Sequence, residues 1–186
     1  MNLNKLFETQ KVLDTRIEKE HPKVDSEDRL AKKILALQVE LGELANEWRG
    51  FKFWSNDQEP RTFGLKLGRT SKENRYINPL LEEYVDCLHF ILSIGLEIEV
   101  FNITAFESLL KFGSNPNREV LFVYSKLFNE VGMMGIDDKS VILEYYPNVF
   151  QWFLELGCLL GLTWEQIEQA YYEKNEVNHE RQNTGY

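Results

Sequence analysis

Apolar positions recur at helical spacing through most of the chain, and no segment shows the sustained alternation that a half-buried strand requires. In residues 2–20, Leu3, Leu6, Phe7, Leu13 and Ile17 form an approximate stripe. His21-Pro22 stops it, because the residue before a proline avoids the α region. A second stripe of Ile34, Leu37, Leu41, Leu44 and Trp48 predicts a helix capped by Asp25 or Ser26 and running to about Arg49. Gly50 stands where that helix should stop or bend. Asn78-Pro79 opens a third helix, with Asn as N-cap and Pro at the first helical position, reaching about Glu99. Its second half, from Cys87 to Ile98, is apolar almost all round, which marks a buried helix.

The remaining pattern continues in the same style. A short helix is expected after Thr104, another over 117–131, and a turn at Gly135 and Asp137-Asp138. Lys139 to Leu160 is helical in pattern, and Pro147 inside it should cause a break or kink. Thr163-x-x-Gln166 is a capping box opening a last helix that carries Trp164, Ile167, Ala170 and Tyr171. The fold class predicted is all-α: a single domain over residues 1–186, built as a bundle of roughly six to eight helices. Residues 55–78 break the rhythm. They form a long polar loop with no sustained period, and they carry Arg61, Lys66, Arg69, Lys72 and Arg75. A connection of that length is functional or mobile. It is read either as a lid over phosphates or as an ordinary solvated loop.

Charge narrows the function. The net charge of −9 argues against a sequence-independent nucleic-acid binder, which needs a basic footprint. An anionic small molecule would need a metal and a local basic patch. No apolar run reaches transmembrane length, and the polar start MNLNKLFETQ does not resemble a secretory signal. Cys87 and Cys158 both lie in apolar helical runs, so buried free thiols in a reducing cytosol are expected, and with them a cytoplasmic location.

Two acidic pairs stand out against this background. Glu40-x-x-Glu43 and Glu83-x-x-Asp86 each place two carboxylates side by side on one helix face, and Glu47 continues the first row. At about 100° per residue, Glu40, Glu43 and Glu47 fall within roughly 60° of one another. Such rows are often solvated stripes. Here the second pair enters a buried helix, where carboxylates are costly without a counter-charge. Mg²⁺ takes oxygen ligands and bridges to substrate phosphates, so the four carboxylates are a candidate site for one or two such ions.

On the last helix Lys174, Asn178 and Arg181 share one face, forming a basic stripe suited to phosphate or a solvated end with charge favourable to the helix dipole. On the first helix Gln10 and Asp14 lie four apart, and a side-chain amide can read the donor and acceptor edge of a base. Trp54 could stack on a base or belong to the core. His89, amid apolar residues, is expected to be a satisfied core histidine before it is a ligand.

Glu-x-x-Glu followed by Glu-x-x-Asp resembles the signature of the all-α nucleoside triphosphate pyrophosphatases, the MazG-like superfamily. The blocks LFETQKVLDTRI, ELANEWRGFKFW, EEYVDCLHFIL and YYEKNEVNHERQNTGY resemble the dimeric dUTPase family of bacteria and phages, and they span residues 6–186. That resemblance implies a homodimeric, Mg²⁺-dependent dUTP diphosphatase that converts dUTP to dUMP and pyrophosphate, with dUDP left open as a second substrate. Glu40, Glu43, Glu83 and Asp86 would hold metal, with Glu43 the candidate base. Lys174, Asn178 and Arg181 would bind phosphates, and Gln10 and Trp54 the uracil. Asp14 departs from this pattern, since some members have Asn at that place. The 55–78 loop is longer than in compact MazG-like proteins. Two rivals remain: a MazG-like pyrophosphatase for dCTP or another non-canonical nucleotide, and a di-iron carboxylate bundle, for which Asp86-x-x-His89 is one near-match.

Overall fold

The structure is a computed structural model that describes residues 2–66, 75–100, 106, 110, 112–113, 119–135 and 138–185. Among these, six helices appear: α1 (Leu3–Glu20), α2 (Arg29–Trp48), α3 (Pro79–Glu97), α4 (Val120–Met134), α5 (Lys139–Leu159) and α6 (Trp164–Thr184). The helix expected after Thr104, the cations Arg69 and Lys72, and Asp137 lie outside the described residues. No helix among those described is long and apolar enough to cross a membrane.

Helix ends follow local chemistry where one capping residue is available. Asn2 accepts from the Lys5 amide, and Asn78 accepts from the Leu81 amide with Pro79 just inside the helix. Thr163 and Gln166 complete their capping box. The start of α2 departs from expectation. Asp28 is the cap, bonded to the Ala31 amide at 2.9 Å, because Asp25 and Ser26 form a turn in which Ser26 takes φ 65°. The end of α2 falls at about Arg49, as expected. Arg49, not Gly50, adopts the left-handed conformation, and its guanidinium holds the Asp57 carbonyl at 2.6 Å and the Asp57 carboxylate at 3.1 Å. The Trp48 ring packs where a side chain at Gly50 would project. Pro147 does not break α5. The carbonyl it leaves unpaired belongs to Leu143, on the exposed face, where water can satisfy it.

A small correction concerns the polar loop. Gly64–Lys66 (β1) and Arg75–Ile77 (β2) pair antiparallel, with Leu65 opposite Tyr76, so the chain is not wholly strand-free. Strands of three residues are too short to show a period, although Phe63 and Leu65 begin an alternation. The base of the loop is tied down. Arg61 donates to the Glu47 carboxylate at 3.1 Å, its amide bonds the Glu47 carbonyl, and its carbonyl accepts from the Leu80 amide.

Helix α3 is the axis of the core, with Leu80, Tyr84, Leu88, Ile91, Leu92 and Ile94 buried. Helix α2 packs along it, and the Lys33–Glu97 ion pair joins the start of α2 to the end of α3, so the two run antiparallel. Two tyrosines lock α3 to α5. Tyr84 donates to the Phe153 carbonyl at 2.9 Å, and Tyr146 donates to the Ile91 carbonyl at 2.9 Å. Each hydroxyl fits only because the facing helix offers a glycine: Gly157 against Tyr84 and Gly95 against Tyr146. Cys87 is buried, Cys158 is partly so, and both are free thiols.

Candidate active site

The α2–α3 pairing brings the acidic rows together. Carboxylate oxygens of Glu40, Glu43 and Glu83 all lie within 4.8 Å of one another. Asp86, one turn beyond Glu83, is oriented differently: its Oδ2 accepts from Lys174 at 2.5 Å. Glu47 leaves the row and serves the loop through Arg61.

The electrostatics match the crowding. Burial, then the charges of Asp86 and Glu43, push Glu40 up to about 7, against the pull of Lys174 and Arg181. Burial, then Asp86, Glu40 and Glu43, push Glu83 up to about 7 as well. Asp86 is also raised, by burial first, with Lys174 opposing. The donors are hard oxygens, they converge, and they resist carrying charge without a cation beside them. That is the chemistry of a hard divalent-ion site, so the residues fit Mg²⁺. Among the described residues the converging set contains no histidine, which counts against a di-iron site.

Beside this cluster lies a cavity of about 580 Å³, within the usual range for small-molecule sites. Gln10, Asp14, His89, Phe90 and Ser93 line one part, and Glu40, Asp86, Asn178 and Arg181 line another. Arg181 donates to Asn178 Oδ1 at 3.3 Å. Lys174 stands at the Asp86 carboxylate and reaches Glu82 at 3.5 Å. Thus α6 brings its polar face to the acidic cluster. Trp54 is not on the cavity wall. It is 65% exposed and packs edge-on against Phe51 and Phe53.

The polar end is ordered by its hydrogen bonds. The Asp14 carboxylate accepts from Gln10 Nε2 at 2.7 Å and from Ser93 Oγ at 2.6 Å. That fixes the amide orientation, so Gln10 Oε1 must face donors. It accepts from Tyr171 Oη at 3.0 Å and lies 2.8 Å from His89 Nδ1, which therefore carries the ring proton. Burial, followed by the charge of Lys174, lowers His89 to about 3, so the ring is neutral. It also stacks on Tyr171, with centroids 4.4 Å apart.

A search of curated proteins found no match. A comparison with family models found one, described as dUTPase, that matches residues 2–186. The chain belongs to the dUTPase family. It is therefore a hydrolase, a dUTP diphosphatase.

The dUTPase site also contains residues that sequence reasoning did not assign to it. Ser93, Tyr171 and Phe90 join Gln10 and Asp14 around the cavity or its network, and Glu82 joins Lys174. Helical spacing carries a signal for two of them, since Phe90 and Ser93 follow Asp86 at four and seven positions on a helix otherwise apolar. His89 is a buried cavity neighbour of Gln10 and is only half satisfied: Nδ1 is bonded to Gln10, while the buried Nε2 has no hydrogen-bond partner among the described residues.

Proposed function

We propose that this dUTPase is Mg²⁺-dependent and splits dUTP into dUMP and pyrophosphate, with the base at the Gln10–Asp14 end of the cavity and the phosphates at the Asn178–Arg181 end. The observation that carries this reading is the single cavity lined by all four residues together with Glu40 and Asp86. A nucleotide needs those two chemistries a few ångströms to either side of a sugar.

Glu40, Glu43, Glu83 and Asp86 would hold the metal. A bound Mg²⁺ supplies charge stabilisation to phosphate oxygens and makes a water more acidic. Glu43, the most exposed of the three converging glutamates, is assigned the proton of the attacking water. By family resemblance the attacked phosphorus is the β one. Lys174, Asn178 and Arg181 neutralise and orient the phosphates, which is most of what phosphoryl transfer asks of a protein.

Uracil suits the other end. The Gln10 amide spends one N–H on Asp14 and keeps one for a ring carbonyl. The Asp14 carboxylate retains lone pairs for the N3–H of uracil, a proton that neutral cytosine lacks. Trp54 enters as a stacking surface on the family resemblance alone. Homodimer formation and a cytoplasmic setting belong to the same reading. The test is pyrophosphate release from dUTP, dCTP and dTTP with and without Mg²⁺. The reading expects release from dUTP only when the ion is present. Equal rates in chelator, or faster release from dCTP, refute it.

A further inference from the structure

The Lys174 ammonium is enclosed beside the acidic cluster, with its side chain only 11% exposed. It holds the Asp86 oxygen at 2.5 Å. That oxygen belongs to the carboxylate assigned above to the metal, and a cation already occupies it. The Glu40, Glu43 and Glu83 oxygens converge without it. A divalent ion that takes this oxygen of Asp86 competes with the ammonium, and an ammonium this enclosed needs another acceptor once displaced.

Such an acceptor is in place. Glu82 Oε1 lies 3.5 Å from the Lys174 nitrogen, so the transfer is a short swing of a flexible side chain. Glu82 is itself oriented from the far side, because Lys66 on β1 donates to the same oxygen at 2.6 Å. The side chains of Glu82 and Asp86 are similarly enclosed, at 19% and 18% exposed, so neither wins by solvation alone. Glu82 stands outside the converging glutamate set and outside the cavity wall.

We propose that Lys174 is a resident counter-ion exchanged for the metal at Asp86, and that Glu82 is a positioning residue that receives it. The inference rests on the metal-site reading above. Glu82 thereby favours metal binding indirectly, through Lys174, without being a ligand. Removing Lys174 should tighten metal binding in the absence of nucleotide, although the same change weakens the hold on phosphate. Removing Glu82 should loosen metal binding, because the ammonium then has nowhere to go.

The experiment is a double-mutant cycle on full-length protein without nucleotide. Mg²⁺ affinity is read by calorimetry, with Mn²⁺ paramagnetic resonance as a second readout. Glu82→Gln should weaken binding about tenfold, and Lys174→Met should strengthen it about tenfold, the scale of one charge-assisted hydrogen bond. In the Lys174→Met background, Glu82→Gln should change affinity less than about twofold, because additivity fails for residues acting through one contact. Circular dichroism melts confirm that each variant is folded, and Glu82→Ala provides a second removal of the acceptor. Equal weakening by Glu82→Gln in both backgrounds would make Glu82 a direct contributor to the ion's field and overturn the proposal. So would unchanged or weaker binding in Lys174→Met. If wild type binds Mg²⁺ and Glu43→Gln abolishes that binding, either result overturns the exchange alone. If wild type binds no divalent ion, the metal-site reading falls and the exchange falls with it.

Discussion

Replacing Glu40 with Gln should stabilise the metal-free protein above neutral pH. The native state holds the Glu40 proton up to about 7, whereas an ordinary glutamate releases it near 4.5. Because the folded value is the higher one, the group's contribution to stability is fully present at low pH and is lost as pH rises through about 7. A separation of that size corresponds to roughly 3 kcal/mol for a fully desolvated group at about 1.36 kcal/mol per pKa unit. Glu40 is only half-buried, so solvent screening reduces this to about 1 kcal/mol. For a protein of this length, about 1 kcal/mol moves Tm by roughly 2–4 °C. Glutamine has the shape of the protonated side chain at every pH. Thermal melts in chelator should therefore coincide at pH 4, diverge between pH 5 and 7, and stay apart above that, with Glu40→Gln higher. Millimolar Mg²⁺ should reverse the order, because it stabilises wild type by mass action and the mutant less. A mutant that melts lower at pH 8 without metal, or a gap that is the same at pH 4, refutes the crowding argument.

Three further outcomes are expected. Glu43→Gln should keep its fold by circular dichroism and lose nearly all dUTP turnover; rates near wild type in the folded mutant would remove Glu43 from the chemistry. Arg181→Ala should lower kcat/KM for dUTP and dCTP alike by about one to two orders of magnitude, the value of a charge-assisted hydrogen bond, whereas Gln10→Ala should change the dUTP-to-dCTP ratio. The opposite pattern in the two ratios would reverse the assignment of the cavity's ends. Gly95→Ala should cost about 1–3 kcal/mol, because the new methyl meets the Tyr146 hydroxyl and lies 2.9 Å from the Phe7 ring; an unchanged Tm would show that α3 and α5 separate easily.

Local signals were legible where one residue could supply them. The Asn78 and Thr163 caps act on amides three residues away, so they can be read from spacing alone. The same rule misplaces the start of α2, because three acceptor-bearing residues compete and the Ser26 turn decides for Asp28. It places the end correctly, at about Arg49, but not the conformation there, since Arg49, anchored on Asp57, takes the left-handed position that usually favours glycine. The acidic pairs were visible as helix faces, but their sorting was not. Asp86 meets a lysine from α6, and Glu47 meets an arginine from the loop. Periodicity says which face a side chain is on and nothing about which partner arrives there. The Gln10–His89 bond was hidden for the same reason, as it joins α1 to α3.

The double tether of Arg61 separates geometry from length. Its backbone is bonded to the last turn of α2 on one side and the first turn of α3 on the other. The distance between the two acidic helices is therefore set at the root of the connection, before the hairpin begins. Closing a longer segment across a fixed root costs little, because loop entropy grows only with the logarithm of length. A change of length between Lys66 and Arg75 should therefore leave the spacing of the carboxylates unchanged. A foreign peptide, such as a tag or a reporter, grafted between those two residues should likewise leave the two acidic helices at their present separation.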